Sequence, residues 1–77
     1  MNREDIKKRV IRIAENTLGV TLDETESLKE SGIDSLSLVM LVVAIEEDFK
    51  LAFDDDDLQP EALQSLSSLV SLVEKYL

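Results

Sequence analysis

The sequence predicts an all-α protein, a four-helix bundle with three long helices, one short third helix and a long ordered loop between helices one and two. Three observations predict this fold. Apolar residues recur at steps of three and four residues along three segments of the chain. Residues that commonly cap helices, Asn2, Asp34 and Ser65, precede those segments. The 77 residues are enough for one small domain, which we expect to span residues 1–77.

The first helix is predicted from Arg3 to about Asn16, with Gly19 as its stop signal. Its inward face is predicted to consist of Ile6, Val10, Ile13, Ala14 and Leu18. From Gly19 to Asp34 the periodicity is lost and turn-forming residues dominate. A loop of this length in a small domain is usually functional, and we expect it to be ordered because apolar side chains can hold it against the helices. Those side chains are Val20, Leu22, Leu28 and Ile33.

The second helix is predicted to begin at Asp34-Ser35, with Asp34 as its N-cap. Its inward stripe is predicted to consist of Leu38, Leu41, Val42, Ile45 and Phe49. The β-branched residues of this stretch are also compatible with a buried strand, but the pattern persists for more than three turns and ends in three acidic residues, which favours a helix.

The run Asp54–Asp57, followed by Leu58, is predicted to form the first turn of a short third helix, since carboxylates suit the positive end of a helix dipole. Pro60 limits its length. The final helix is predicted to follow the cap Ser65, with an inward stripe of Leu66, Leu69, Val70, Val73 and Leu77.

The composition excludes several classes of function. Lys and Arg total 8 and Asp and Glu total 17, so the formal net charge is −9, which disfavours binding to nucleic acids or anionic membranes. Without His or Cys, the chain has neither the usual zinc ligands nor an imidazole or thiol for catalysis. The longest apolar run, Leu38 to Ile45, is too short to span a bilayer. We therefore expect a cytoplasmic protein that has no metal site and is not an enzyme.

The charge is unevenly distributed along the chain. Residues 1–12 contain five basic and two acidic residues, whereas residues 13–77 contain three basic and fifteen acidic ones. The negative electrostatic field of residues 13–77 attracts basic partners. The run Asp54–Asp57 raises the possibility of a calcium site, but an EF-hand loop counted from Asp54 requires Gly where the chain has Gln59 and Glu where it has Ser65. A solvated helix N-terminus is therefore the preferred interpretation, and weak cation association stays open.

The stretch Gly32-Ile33-Asp34-Ser35-Leu36 is the most informative one. A serine at the start of the most apolar helix projects outward, and no base is available to make it a nucleophile. Such a serine is suited to accept a group from a modifying enzyme. In an arbitrary protein, however, the same Asp-Ser pair is usually only a helix cap, and an unmodified acidic helical interaction module therefore remains an alternative.

The chain resembles the acyl carrier protein family over nearly its whole length. Asp34-Ser35-Leu36 matches the Asp-Ser-Leu signature of that family, and Gly32 lies two residues before it. The closing segment, from Pro60-Glu61 through Ser65 to Tyr76, is also similar. Further positions follow the family's second-helix pattern in register, namely Val39, Leu41, Val42, Ala44, Ile45, Glu46, Glu47 and Phe49.

The resemblance implies that Ser35 carries 4′-phosphopantetheine, attached by a phosphopantetheinyl transferase, and that the thiol of this arm holds acyl intermediates as thioesters for fatty-acid or polyketide-type biosynthesis. It further implies a monomeric carrier whose growing chain shelters between the helices. Its partners would be acyl-loading, synthase and tailoring enzymes with basic or mixed apolar docking patches. The docking residues it implies are Asp34, Leu36, Glu46 and Glu47.

Met40 departs from the family pattern, because many fatty-acid carriers have Glu at this position. Sequence drift or local packing against Phe53 would account for this departure, and so would a partner surface that is less ionic and more apolar. On the second interpretation we add Met40 to the docking residues. That interpretation also favours a dedicated pathway over primary fatty-acid synthesis. An aminoacyl or peptidyl carrier of a nonribosomal-peptide-type pathway remains an alternative, since the cargo is chosen by the enzymes that load it.

Overall fold

The computed structural model describes all 77 residues, Met1–Leu77, and contains three α-helices and no β-strand. Helix α1 spans Arg3–Leu18, α2 spans Ser35–Phe49 and α3 spans Leu66–Tyr76. Helix α1 packs against both α2 and α3. The prediction of an all-α fold is confirmed. None of the three helices combines the length and apolarity needed to cross a membrane.

The predicted N-caps are confirmed at all three helices. The side chain of Asn2 accepts a hydrogen bond from the backbone N–H of Asp5, and Ser65 accepts one from Ser68. Asp34 caps α2 in the same way. Helix α1 ends two residues later than predicted, at Leu18, and Gly19 follows in the left-handed conformation with φ 67°. The helix starts follow from local side-chain chemistry, which is why the sequence locates them well.

The core is formed by sixteen buried side chains, all of them hydrophobic. Each helix contributes, and the α1–α2 loop adds Leu22, Leu28 and Ile33. The predicted inward stripes are confirmed, except that Leu18, Leu38 and Phe49 are only partly buried and Leu77 is exposed. Leu77 is 61% exposed, because α3 ends at Tyr76 and Leu77 lies beyond its last turn.

The α1–α2 loop is ordered by contacts with the end of the α2–α3 segment. The backbone N–H of Leu28 donates to the carbonyl of Gln64 at 3.0 Å, and Ser27 forms an isolated antiparallel bridge with Ser65. Val20 is only partly buried. These contacts confirm that the loop is held in place, and they fix its last residues directly before α2.

The predicted short third helix is not confirmed as a fourth α-helix. It is a single 3-10 turn over Asp55–Asp57, with Asp54 as its cap. Two causes are evident in the sequence. Aspartate is a poor residue for helix interiors, and an α-helix continued to Pro60 would bring the proline ring against the carbonyl of Asp56.

Side chains attach the α2–α3 segment to the two helices that flank it. The phenolic O–H of Tyr76 donates to the carboxylate of Asp57, and its oxygen accepts from the backbone N–H of Asp54 at 2.7 Å. The ring of Tyr76 meets that of Phe53 edge to face. Within residues 52–63 every backbone–backbone hydrogen bond is local, so side chains provide the remaining attachment.

Basic residues of α1 form ion pairs with acidic residues of the other two helices. Arg3 contacts Glu74 of α3, and Arg9 contacts Asp48 of α2 and stacks on the ring of Phe49. Part of the excess positive charge of residues 1–12 therefore lies in ion pairs between the helices. These pairs are exposed, so each contributes little to stability.

Candidate functional site

Ser35 is the first residue of α2 and its side chain is exposed to solvent. The structure gives its hydroxyl no hydrogen-bond partner. Among the eight serines of the chain, only Ser67 and Ser71 are also exposed, and both accept hydrogen bonds from Arg3. Ser35 is therefore the one exposed serine whose hydroxyl is free.

Asp34 fixes the point at which α2 begins. Its carboxylate accepts a hydrogen bond from the backbone N–H of Ser37 at 2.8 Å, while its own backbone is extended, with φ −86° and ψ −177°. This hydrogen bond from Ser37 holds the pKa of the Asp34 carboxyl below its ordinary value. The carboxylate is thus ionised at neutral pH, lies beside Ser35 and is directed toward the helix backbone.

Residues 27–33 form a tight turn directly before Asp34. The side-chain oxygen of Ser27 accepts from the N–H of Glu30 at 3.1 Å, and the Glu30 carboxylate accepts from the N–H of Ser27 at 2.8 Å. This reciprocal pair is the arrangement of a capping box. Gly32 has φ 94°, a conformation that favours glycine, and Ile33 then donates to the carbonyl of Leu28 at 3.0 Å.

An open groove of about 680 Å³ lies beside Ser35. A second, more apolar groove of about 380 Å³ lies between α2 and the α2–α3 segment and shares Leu38 and Leu63 with the first. Its other lining residues include Val42, Phe53 and Leu58. The two grooves are therefore neighbours, and the apolar one lies beyond Leu38 and Leu63 as seen from the groove beside Ser35.

The exposed face of α2 is apolar along its first three turns. Leu36 is 71% exposed and Met40 is 45% exposed, and both lie near Ser35 in sequence. Val39 and Val43 are also exposed and follow the same helical spacing, although they are not among the predicted docking residues. The signal was present, since α2 has apolar residues on every side and one helix face cannot bury them all.

The two glutamates predicted for docking are placed differently. Glu47 is exposed and continues the face of Leu36, Met40 and Val43 by helical spacing. Glu46 is half-buried, and its carboxylate accepts a hydrogen bond from the backbone N–H of Phe53 at 2.8 Å. Glu46 therefore also holds the start of the α2–α3 segment against α2.

The aspartate run forms no metal cluster. No group of three or more acidic side chains in the structure has the geometry to hold a metal ion. Asp57 instead bonds to Lys75 and Tyr76, and Asp54 caps the 3-10 turn through the N–H of Asp56. The hydrogen bond from Lys75, followed by that from Tyr76, lowers the pKa of the Asp57 carboxyl.

Comparison with known proteins shows which family the chain resembles. The family model for a phosphopantetheine attachment site matches residues 8–73. The acyl carrier protein of Thermotoga maritima is 36% identical and covers 99% of this chain and 96% of its own. Acyl carrier protein AsbD of Bacillus anthracis is 35% identical, over 97% of this chain and 88% of its own.

A solved structure has a similar fold. A chain from the crystal structure of the Bradyrhizobium japonicum glycine:[carrier protein] ligase, complexed with its cognate carrier protein and an analogue of glycyl adenylate, superposes with a TM-score of 0.73. It is 28% identical, and the match covers 95% of this chain and 96% of that one.

The charge of the Asp34 cap can be tested by unfolding as a function of pH. Asp34→Asn keeps a capping oxygen without the charge, and Asp34→Ala removes both. At about pH 7 we expect the urea midpoint to fall in the order wild type, Asp34→Asn, Asp34→Ala. The charge contributes above the unfolded-state pKa of about 3.9 and is lost as the pH falls through the lower folded-state pKa.

The midpoint gap between wild type and Asp34→Asn should therefore close as the pH is lowered to about 2.5. Asp55→Asn, at an exposed position in the 3-10 turn, is the matched control and should show little gap at either pH. A gap that is the same at both pH values would contradict the role assigned to the Asp34 charge.

Proposed function

The chain belongs to the acyl carrier protein family, whose members bear a covalent 4′-phosphopantetheine group, and we propose that Ser35 is the residue that carries it. Acyl carrier proteins are carriers rather than enzymes, and this chain is therefore not an enzyme. We propose that it carries acyl intermediates as thioesters for fatty-acid or polyketide-type biosynthesis in the cytoplasm, as a monomer formed by residues 1–77.

The free hydroxyl of Ser35 is the observation that carries this proposal. The site fits a phosphopantetheine group, because Ser35 is exposed, its hydroxyl has no hydrogen-bond partner and an open groove lies next to it. The transferase reaction joins the Ser35 oxygen to the phosphorus of the phosphopantetheine part of coenzyme A. The pyrophosphate bond breaks, adenosine 3′,5′-bisphosphate leaves, and the hydroxyl proton passes to the transferase. The arm supplies the thiol that a chain without cysteine lacks.

Partner enzymes would bind the exposed face of α2. Leu36, Met40 and Glu47 lie on one side of that helix, so an apolar centre is bordered by negative charge. A partner with a mixed apolar patch and basic residues around it is complementary to this face. Asp34 would contribute by holding the first turn of α2 in place, and Glu46 borders the face beside the α2–α3 segment.

The apolar groove would shelter the acyl chain. It begins at Leu38 and Leu63, which also line the groove beside Ser35, and continues to Val42 and Phe53. An acyl chain that enters it removes apolar surface from water on both sides of the contact, which is favourable.

An aminoacyl cargo is the second candidate. The carrier in the Bradyrhizobium japonicum complexes serves a glycine:[carrier protein] ligase, and a related complex contains that carrier in glycylated form. A small polar aminoacyl group has no need of the apolar groove. Mass spectrometry of the protein recovered from its host would identify the cargo directly.

Modification at Ser35 can be tested by intact mass. After incubation with coenzyme A and a transferase of broad specificity, we expect a gain of one phosphopantetheine group in the wild type. Ser35→Ala should show no gain, and Ser37→Ala, two residues along the same helix, should be modified as the wild type is. An unmodified wild-type chain would instead support the interaction module, in which Ser35 only begins a helix.

The sheltering of the acyl chain can be tested by NMR. Comparison of the holo form with a long-chain acyl form should show shifts in the amide signals of Val42 and Leu66, because the chain enters the space between the helices. Arg12, exposed on α1, provides a control signal that should not move. Unmoved signals at both Val42 and Leu66 would contradict the sheltering.

The docking role of Met40 can be tested by Met40→Glu. A charge buried against an apolar partner patch should lower kcat/KM of a cognate partner enzyme by about tenfold. Transfer of phosphopantetheine to Ser35 should stay intact, and Met40→Leu should retain partner activity. Thr21→Glu adds the same charge in the α1–α2 loop as a control. Unchanged partner kinetics in Met40→Glu would count against the proposed surface.

A further inference from the structure

Lys29 is the only basic residue that lines the groove beside Ser35. The same groove contains one acidic residue, Asp34. Only two other cations occur after residue 12, and neither is available at this site. Lys75 pairs with Asp57, and Lys50 caps the opposite end of α2. The 15 residues of that helix separate its two ends by about 22 Å.

The positive charge of Lys29 is not neutralised by an ion pair within the protein. None of the five ion pairs of the structure includes Lys29. Its neighbour Glu30 would be the simplest partner, but the Glu30 carboxylate accepts from the backbone N–H of Ser27. The Asp34 carboxylate is likewise directed to the N–H of Ser37. The carboxylates of Glu30 and Asp34 therefore both bond to backbone groups.

The backbone at Lys29 is held in place. Its neighbour Leu28 is 3% exposed and donates its N–H to Gln64, while the carbonyl of Lys29 accepts from the N–H of Gly32 at 3.1 Å. The turn thus fixes the backbone from which an exposed cationic side chain lines the groove. A lysine side chain has a flexible four-carbon stem, so its charged end can follow a ligand that moves.

We propose that Lys29 forms an ion pair with the phosphodiester that joins the arm to Ser35, and so restrains the first part of the arm against the groove. The inference rests on the proposed attachment at Ser35. The phosphodiester places a negative charge beside the ionised Asp34 carboxylate, and Lys29 offsets the repulsion between the two.

The pair is exposed, so it is weak and sensitive to salt. A weak contact is appropriate for this role, because the arm has to leave the groove to reach the active sites of partner enzymes. Lys29 is thus a positioning residue for the arm and takes no part in chemistry.

The test compares the ³¹P NMR signal of the arm in four holo proteins: wild type, Lys29→Gln, Lys29→Arg and Lys50→Gln. At low salt, Lys29→Gln should shift the signal, whereas Lys29→Arg and Lys50→Gln should leave it close to the wild type. At about 1 M NaCl, where the Debye length is about 3 Å, the wild-type and Lys29→Gln signals should converge. The side-chain carbon signal next to the Lys29 amine should differ between apo and holo forms, and that of Lys50 should not.

The outcomes separate this inference from the proposed function. If mass spectrometry shows that the wild type never acquires the arm, the attachment at Ser35 fails and the inference fails with it. If the arm is attached but its ³¹P signal is the same in the wild type and Lys29→Gln, only the inference fails. If Lys29→Gln slows the transfer from coenzyme A and leaves the ³¹P signal unchanged, Lys29 contacts the transferase and the ion pair with the arm is overturned.

Discussion

The hydrogen bond between the Asp34 carboxylate and the N–H of Ser37 determines where α2 begins, and the rest of the site depends on that point. Because the side chain of Asp34 accepts from the N–H of Ser37, Asp34 stays outside the helix and Ser35 is its first residue. Ser35 is exposed at that position, whereas Leu41, further along the same helix, is fully buried. The capping-box turn and the positive φ of Gly32 support this single position from the loop side.

Helix α2 is apolar on two faces that serve different purposes. One face, with Leu41 and Ile45, is fully buried in the core. The other, with Leu36 and Met40, remains in water and has no partner within the chain. Exposed apolar side chains in a continuous row are uncommon on a protein that acts alone. This pattern is consistent with a protein whose function consists of repeated binding to other proteins.

The sequence predicted those parts of the structure that depend on local chemistry. Asn2, Asp34 and Ser65 cap helices because their side chains reach N–H groups only two or three residues away, and helical spacing identified most of the core. The conformation of Asp54–Asp57 was harder to predict. The carboxylates favour a helix N-terminus because they interact with the helix dipole, whereas Pro60 prevents the helix from continuing. The use of Glu46 to hold the N–H of Phe53 is a tertiary contact that no local pattern indicates. The sequence also did not reveal the free charge of Lys29, which depends on the directions of the Glu30 and Asp34 carboxylates.

The attachment of residues 52–63 by side chains has a mechanical consequence. This segment forms one wall of the apolar groove, and the side chains of Glu46, Lys75 and Tyr76, together with the buried ring of Phe53, hold it to the helices in place of shared backbone hydrogen bonds. A displacement of this wall would therefore break side-chain contacts and leave the backbone hydrogen bonds of the three helices intact. The contacts that set the width of the groove are thus separate from those that hold Ser35 at the start of α2.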